Sequence, residues 1–228
     1  MLKFTILFTS IVFCFSCGYN KNIVFKDSFK DNRNNWDLKN NYDDFSVNIS
    51  DGNLNIEKHT KNSVNNGCLW LNKEIDGFST DKDFSIVFSA KIMNYDSISN
   101  RIDFQWGTIN EPMVKSRLYQ IKFSIYGDIY LDYLENGWER LSRKQLKSDI
   151  KSNLKINGVE YSDQPYPVIS NIYNKYEISQ VGDSCLISIN DIIVYSEKIN
   201  VVHGNYIGIQ QCLKSSWKID YIEIKQEN

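Results

Sequence analysis

Apolar and polar residues alternate along most of the chain from residue 22 onward, which is the pattern of half-buried β-strands. The segment from Asp83 to Ile92 shows it clearly, because one face carries Phe84, Ile86, Phe88, Ala90 and Ile92. The same period predicts about fourteen strands, at 22–29, 45–49, 53–57, 67–72, 83–92, 101–107, 116–125, 129–134, 138–141, 176–180, 185–189, 192–196, 205–211 and 217–225.

Clusters of Asn, Asp and Gly separate these segments and predict tight turns. Asp51-Gly52 and Asn190-Asp191 have the composition of two-residue hairpin turns. No helical period is visible, so we predict an all-β fold of antiparallel sheets packed face to face, with a closed barrel as the alternative. Residues 144–172 lack alternation and contain Pro165 and Pro167, so a long irregular loop is expected there.

The N-terminus reads as an export signal. Lys3 is followed by an apolar run from Phe4 to Phe15, which is interrupted by two threonines and one serine. Spanning a bilayer takes about 20 apolar residues, so this run is too short for a transmembrane helix. A basic start followed by a short apolar run is typical of a secretory signal peptide.

Cys17 ends this apolar run, with Ser16 before it and Gly18 after it. The small-residue-then-Cys pattern resembles the bacterial lipoprotein signal, in which the thiol is lipidated and the chain is cut just before it. The resemblance implies a signal peptide at 1–16, a lipidated tether at 17–22 and one domain at 23–228. The protein would then be lipid-anchored in the bacterial cell envelope, on the periplasmic or the outer surface. Ordinary secretion with cleavage nearby is the alternative.

The amino-acid composition argues against some classes of function. The chain has a formal net charge of −2 and no block of Lys and Arg, which argues against nucleic acid as a partner. Three further cysteines lie in apolar strand-like segments and are expected to be buried thiols, namely Cys68, Cys185 and Cys212. A disulfide between two of them is the alternative. Their spacing to His59 and His203 matches no zinc pattern, so no metal or other cofactor is predicted.

Several segments resemble concanavalin A-like lectin/glucanase domains, including their laminin G-like members. The stretch YQIKFSIYGDIYLDYLENGW, from Tyr119 to Trp138, is similar to the central hairpin of that family. Further similar segments are a first strand at 25–29, a strand pair at 174–191 and closing strands at 204–208 and 219–222. The resemblance implies a two-sheet jelly-roll sandwich over nearly the whole domain, and its motifs speak to fold more than to function.

The same superfamily includes glycanases, so catalysis has to be considered. The laminarinase-type branch carries Glu-x-Asp-x-x-Glu on one strand, which places two carboxylates about 5 Å apart. The nearest string here runs from Glu74 through Asp76 to Ser79, and Ser79 stands where the second Glu is needed. Another acidic group, which a polar sandwich surface explains equally well, consists of Asp128, Asp132 and Glu135. We therefore expect no catalysis, with a glycoside hydrolase as the alternative.

Lectin-like members of the fold bind sugars with planar polar groups for the hydroxyls and aromatic faces for the ring. The solvent-side positions of three successive predicted strands would supply such groups if the strands are neighbours. The candidate ligand-binding residues are Arg101, Asp103, Gln105, Gln120, Lys122, Tyr130, Asp132 and Trp138. The predicted partner is a carbohydrate, and an accessory envelope protein that binds a protein partner is the remaining alternative.

Overall fold

The structure is a computed structural model that describes residues 21–38, 45–58, 68–93, 101–108, 116–125, 129–136, 139–146, 152–156, 158–164, 168–212 and 215–227. These ranges contain sixteen β-strands and no helix. The strands are β1 (Asn22–Asp27), β2 (Phe45–Ser50), β3 (Asn53–Lys58), β4 (Leu69–Glu74), β5 (Phe84–Met93), β6 (Arg101–Thr108), β7 (Arg117–Ser124), β8 (Ile129–Glu135), β9 (Glu139–Gln145), β10 (Ser152–Ile156), β11 (Val159–Gln164), β12 (Asn174–Val181), β13 (Ser184–Ile189), β14 (Ile192–Lys198), β15 (Tyr206–Gln211) and β16 (Ser216–Gln226).

Fourteen of the strands form two antiparallel sheets that pack face to face. The eight-stranded sheet has the order β14-β13-β12-β5-β16-β3-β2, with β1 added beside β16. The six-stranded sheet has the order β4-β15-β6-β7-β8-β9. The predicted all-β sandwich is thus confirmed, and the barrel alternative is excluded.

The core lies between the two sheets and consists of the apolar residues that alternate along the strands. Phe88 on β5 stacks on Phe104 across the interface, with ring centroids 4.6 Å apart, and on Tyr176 of β12 at 4.8 Å. Trp106 and Trp217 are fully buried in the same core. Aromatic side chains of this size bury more apolar surface than any others, so they dominate the packing energy that holds the sheets together.

Both predicted hairpin turns are present and have the expected backbone geometry. Asp51 and Gly52 have φ of 52° and 69°, and Asn190 and Asp191 have φ of 50° and 65°. Two successive residues with positive φ form the turn that matches the twist of antiparallel strands. Asn, Asp and Gly accept this conformation at the lowest cost, so these four residues set the register of β2 with β3 and of β13 with β14.

The expectation of an irregular segment at 144–172 is wrong in part. β9 runs on to Gln145, and β10 and β11 form a separate two-stranded hairpin that turns at Gly158, whose φ is 83°. Antiparallel pairing between neighbouring segments depends on backbone hydrogen bonds and does not require an alternating apolar pattern. The prediction relied on that pattern, so it missed this hairpin.

The cysteines differ from expectation as well. Cys68 and Cys212 are joined by a disulfide although 144 residues separate them, so the expectation of three free thiols is wrong for this pair. Cys185 is a free thiol in the core, as expected. Burial raises the pKa of Cys185 to about 12, which keeps it protonated and unreactive.

Residues 1–20, with Cys17 and the predicted signal, lie outside the described residues. Export and lipidation therefore stay predictions. The described residues contain no helix that is long and apolar enough to cross a membrane.

Candidate functional site

The six-stranded sheet has one apolar face and one polar face. Paired positions on five adjacent strands point into the core, and these are Leu71, Ile209, Phe104, Ile121 and Leu131. Side chains alternate between the two faces of a strand, so the residues on either side of each core position point away from the core. We call that side of the sheet the outer face.

The register of the strands aligns the outer-face residues in two rows that run across all six strands. The first polar row, in the order β4, β15, β6, β7, β8 and β9, is Asn72, Gly208, Gln105, Gln120, Asp132 and Arg143. The second polar row, in the same order, is Trp70, Gln210, Asp103, Lys122, Tyr130 and Gln145. Each row thus crosses the sheet perpendicular to its strands.

Six of the predicted site residues fall in these two rows, and Arg101 follows one outer-face position beyond Asp103 on the same strand. The condition that the three strands are neighbours is met, because β6 pairs with β7 and β7 pairs with β8. Trp138 lies outside the described residues. Whether these residues bind a ligand is not tested by the geometry, and that role stays a prediction.

The expectation that these positions face solvent needs a correction. Four of them are buried although they point away from the core, namely Asp103, Gln105, Gln120 and Asp132. The long cationic side chains beside the two acids explain part of this burial, because Arg143 and Lys122 bond to Asp132 and Arg101 contacts Asp103. The outer face is therefore a polar layer held together by internal contacts.

Asp132 is the centre of an ion-pair cluster. It is 0% exposed and accepts hydrogen bonds from Arg143 Nε at 2.7 Å, Arg143 Nη2 at 2.8 Å and Lys122 Nζ at 2.7 Å. Burial alone would favour the neutral acid, but the hydrogen bonds from Arg143 and Lys122 outweigh it and lower the pKa of Asp132. Arg143 also lies over the Tyr130 ring, 4.8 Å from its centroid.

Asp103 has the opposite electrostatic character. Burial raises its pKa to about 6, and the nearby charges of Arg101 and Lys122 only partly oppose this effect. Arg101 Nε lies 2.9 Å from Oδ1, and Gln120 Nε2 reaches Oδ2 at 3.5 Å. Gln120 also donates to the side-chain oxygen of Gln210, which links β7 to β15 across the face.

A cleft of about 270 Å³ opens over these rows. Its lining includes Trp70, Arg101, Gln120, Lys122, Asp132, Leu134, Arg140, Gln210 and Cys212. Trp70 is partly exposed at the β4 end, and Arg140 is 46% exposed at the β9 end. The cleft therefore combines an aromatic ring, amide groups and cations in one concavity.

Beside the cleft, a pair of buried amides lies on either side of Gly208. Both amide atoms of Gln105 and Oδ1 of Asn72 have no hydrogen-bond partner among the described residues. A Cβ at position 208 would stand 2.8 Å from Asn72 Oδ1 and 3.1 Å from Gln105 Oε1, so any larger residue would require these two side chains to shift. Buried polar groups without partners cost free energy, and they mark places where a ligand or water can bond.

Sequence reasoning missed four residues of this site: Trp70, Gln210, Arg140 and Arg143. The signal for Trp70 was present, since alternation in Leu69-Trp70-Leu71 places its ring on the face opposite two core leucines. Arg143 was missed because the predicted strand stopped at residue 141, whereas β9 continues to Gln145. Gln210 belongs to a strand whose neighbours, β4 and β6, are both distant in sequence.

The acids of the rejected glycanase-like string lie away from the cleft. Glu74 ends β4, where its carboxylate accepts hydrogen bonds from Asn205 and Tyr206. Asp76 is exposed in the turn that follows. Asp128 of the other acidic group lies outside the described residues. Within the described ranges, no three His, Cys, Asp or Glu side chains are grouped so that they could hold a metal ion.

Known structures share this architecture. The laminarinase catalytic domain of Thermotoga maritima MSB8 superposes with a TM-score of 0.58 at 13% identity, over 91% of this chain and 99% of that one. The β-glucanase of Bacillus licheniformis gives a TM-score of 0.56 at 11% identity, over 90% and 98%. A Bacillus subtilis protein of unknown function with a galectin-like fold gives 0.59 at 7% identity, over 91% and 98%.

The class of the fold follows from these likenesses. The chain is a two-sheet jelly-roll sandwich, as the sequence resemblance implied. At these identities the likeness establishes the fold alone. No protein-family model matches the sequence, and no curated protein matches it either.

Proposed function

We propose that the protein is an exported, lipid-anchored, non-catalytic glycan-binding protein. The observation that carries the proposal is the cleft on the outer face, where the partly exposed Trp70 lies beside Gln210, which in turn accepts a hydrogen bond from Gln120. An indole face packs against the C–H side of a sugar ring, and side-chain amides both donate to and accept from hydroxyls.

The solved structures with a similar fold support a saccharide ligand by analogy. Two of the similar structures are a laminarinase and a β-glucanase, and both names describe proteins that act on glucans. Fold alone does not determine function, so this support is secondary to the cleft itself.

The ion pairs of Asp132 and the burial of Asp103 favour glycan binding over glycan hydrolysis. A retaining glycosidase needs a carboxylate that is free to attack the sugar and a second acid about 5 Å from it. Asp132 commits its oxygens to Arg143 and Lys122, which makes it a poor nucleophile. Asp103 is buried as well, so neither acid is presented openly to a substrate.

Replacement of Trp70 by Ala tests the proposed site. We expect affinity for a bound glycan to fall roughly ten-fold or more, because loss of a stacking face costs about 1.4 kcal/mol or more. Tyr221→Ala is the control, since Tyr221 is a partly exposed aromatic of β16 in the other sheet. The measurement is a glycan-array screen of residues 18–228, followed by calorimetric titration of the hits.

Two other results of that screen would have different meanings. Binding that both variants retain would leave a lectin with its site elsewhere. Trp138→Ala would then be the next variant, because Trp138 is one of the candidate ligand-binding residues of the sequence. Binding to no glycan at all would contradict the proposal and favour a protein partner.

A glycoside hydrolase is the second candidate, on the strength of one observation. Asp103 keeps a pKa of about 6, which is in the range of a general acid that must stay protonated near neutral pH. If the protein hydrolyses glycans, release of reducing ends would decline as the pH rises through 6 and would be lost in Asp103→Asn. Reducing-end release that is the same in Asp103→Asn as in the parent would remove this candidate.

The lipid anchor is tested at Cys17. We expect the parent protein to incorporate radioactive palmitate in a bacterial host and Cys17→Ala to lose the label, because that thiol is the predicted acylation site. Cys14→Ala is the matched control, since it removes the other thiol of the same segment and should keep the label. Label retained by Cys17→Ala would show that the N-terminal motif was misread. The Cys68–Cys212 disulfide supports export, because disulfides persist in oxidising compartments.

A further inference from the structure

The charges of the cleft do not balance. Its described lining contains the cations Arg101, Lys122 and Arg140 and one acid, Asp132. With these four groups ionised the local net charge is +2, although the whole chain has a formal net charge of −2. Arg143 and Asp103 lie next to this lining, and their opposite charges leave that balance unchanged. A positive cleft on a slightly acidic protein is a local feature that overall composition does not explain.

Asp132 leaves one of its cations almost uncommitted. Arg143 and Lys122 take the short hydrogen bonds to the carboxylate, at 2.7 to 2.8 Å. Arg140 approaches it only to 3.9 Å, which is beyond hydrogen-bonding distance. One negative charge therefore faces three positive ones, and the guanidinium of Arg140 keeps its donors available to the cleft.

Asp103 offsets part of the positive charge near neutral pH and less of it at lower pH. Its pKa lies at about 6, so protonation on mild acidification raises the local net charge further. The groups that face it are Arg101 on the same strand, Lys122 and Gln120 on β7, Gln210 on β15 and, more remotely, Asp132 on β8. No other acid of the described residues lines the cleft.

We infer that the cleft recognises an anionic saccharide, one whose sugars carry carboxylate or sulfate groups, that Arg140 binds the acidic group and that the neighbouring charge of Arg143 adds to the attraction. This inference rests on the proposed glycan-binding function and adds the chemical class of the ligand. Guanidinium groups match planar carboxylate and sulfate oxygens through paired N–H donors, which makes Arg the usual residue for such contacts.

The geometry also favours an oligosaccharide over a single sugar. Trp70 lies on β4 and Arg140 on β9, which are the two edge strands of the six-stranded sheet. Five strand spacings separate them, about 24 Å along the sheet. A chain of several sugar units that runs across the strands can therefore place one ring on Trp70 and an acidic group at the arginines.

The test compares matched neutral and anionic polymers. The folded domain, residues 18–228, is titrated with dextran and dextran sulfate, with galactan and polygalacturonate, and with polyglutamate as an anionic polymer that contains no sugar. Measurement at an ionic strength of about 0.15 M limits non-specific attraction, since the screening length is then about 8 Å. Arg140→Gln is the main variant, because Arg140 is half-exposed and makes no short ion pair that folding depends on.

Lys144→Gln is the matched control. It removes the same charge from the same strand, but Lys144 contacts Glu197 and lies over the Tyr195 ring, away from the outer-face cleft. We expect at least one anionic polysaccharide to bind roughly ten-fold more tightly than its neutral form, and Arg140→Gln to lose about that factor. Lys144→Gln should stay within about two-fold of the parent. Arg143→Gln, monitored for its melting temperature, is the second variant and should weaken binding further.

The other outcomes separate this inference from the function on which it rests. Equal binding of neutral and anionic forms, or equal losses in Arg140→Gln and Lys144→Gln, would overturn the charge inference and leave the lectin function standing. Binding of polyglutamate as tight as that of the anionic polysaccharides would overturn it too, because the site would then bind any polyanion and would not recognise the sugar. Failure of every saccharide to bind would overturn both proposals.

Discussion

Reduction of the Cys68–Cys212 disulfide is expected to lower the free energy of unfolding by about 4 to 5 kcal/mol. The bond joins the start of β4 to the end of β15, and it closes a loop across a sequence separation of 144 residues. Cross-links stabilise a protein mainly by restricting the unfolded chain, and the restriction grows with the length of the closed loop. This bond therefore has close to the largest effect that a single disulfide can have.

The effect can be measured by denaturant unfolding with and without reductant. Both cysteines are partly exposed, so a small thiol can reach the bond. The double variant Cys68→Ala/Cys212→Ala should be as unstable as the reduced parent and insensitive to reductant. Cys185→Ala is the control, because this buried free thiol makes no bond and its loss should leave the sensitivity to reductant intact. A parent protein with the same unfolding midpoint in both conditions would contradict the assignment.

Loss of the disulfide should also weaken glycan binding at the cleft. Cys212 lines the cleft, and the two strands that the bond ties together carry Trp70 and Gln210. Lys58 Nζ donates to the Cys212 carbonyl at 2.9 Å and holds the same corner from β3. Glycan affinity of the reduced protein is therefore expected to fall even under conditions in which the sandwich stays folded.

Replacement of Asp132 by Ala is expected to destabilise the protein by about 3 to 5 kcal/mol. The carboxylate is fully buried and neutralises Lys122, whose side chain is only 12% exposed, together with Arg143. Removing one partner of a buried ion pair leaves the other charge desolvated and unpaired, which costs more than the pair itself contributes. Lys122 would keep only Asp103 as a nearby acid, and burial makes that acid hard to ionise.

Two variants make this prediction specific. Asp132→Asn keeps the shape and one acceptor oxygen, so its loss of stability should be smaller than that of Asp132→Ala. Asp183→Ala is the matched control, since Asp183 pairs with Lys198 at 2.8 Å on the surface and such exposed pairs contribute little. Thermal unfolding of the three variants beside the parent gives the comparison. Equal effects of Asp132→Ala and Asp183→Ala would show that the cluster is not a structural centre.

Local patterns in the sequence were sufficient to predict most of the strands and about half of the site residues. Alternation located fourteen of the sixteen strands, because a strand with one buried face must repeat its apolar residues every second position. The outer-face residues of β6, β7 and β8 could also be predicted from the sequence. These strands follow one another in sequence and pair as consecutive antiparallel neighbours, so Gln105, Gln120 and Asp132 align by short-range connection alone.

The other half of the site depends on contacts between distant parts of the chain. β15 inserts between β4 and β6, which brings Gln210 beside Trp70 and Asp103 and brings Cys212 to Cys68. No local pattern encodes that neighbour relation, because it follows from how the two sheets bury their apolar faces together. The burial of Asp132 and the raised pKa of Asp103 arise in the same way, from side chains that meet only after the sheet is formed.

The sequence by itself determined which segments are strands, where the chain turns and which side of each strand is polar. These properties depend on residues close together in the chain, through side-chain alternation and turn geometry. Only the tertiary structure decided which polar faces adjoin, which cysteines pair and which charges are left unbalanced in the cleft. Those properties depend on strand order, and strand order is set by the packing of the whole core.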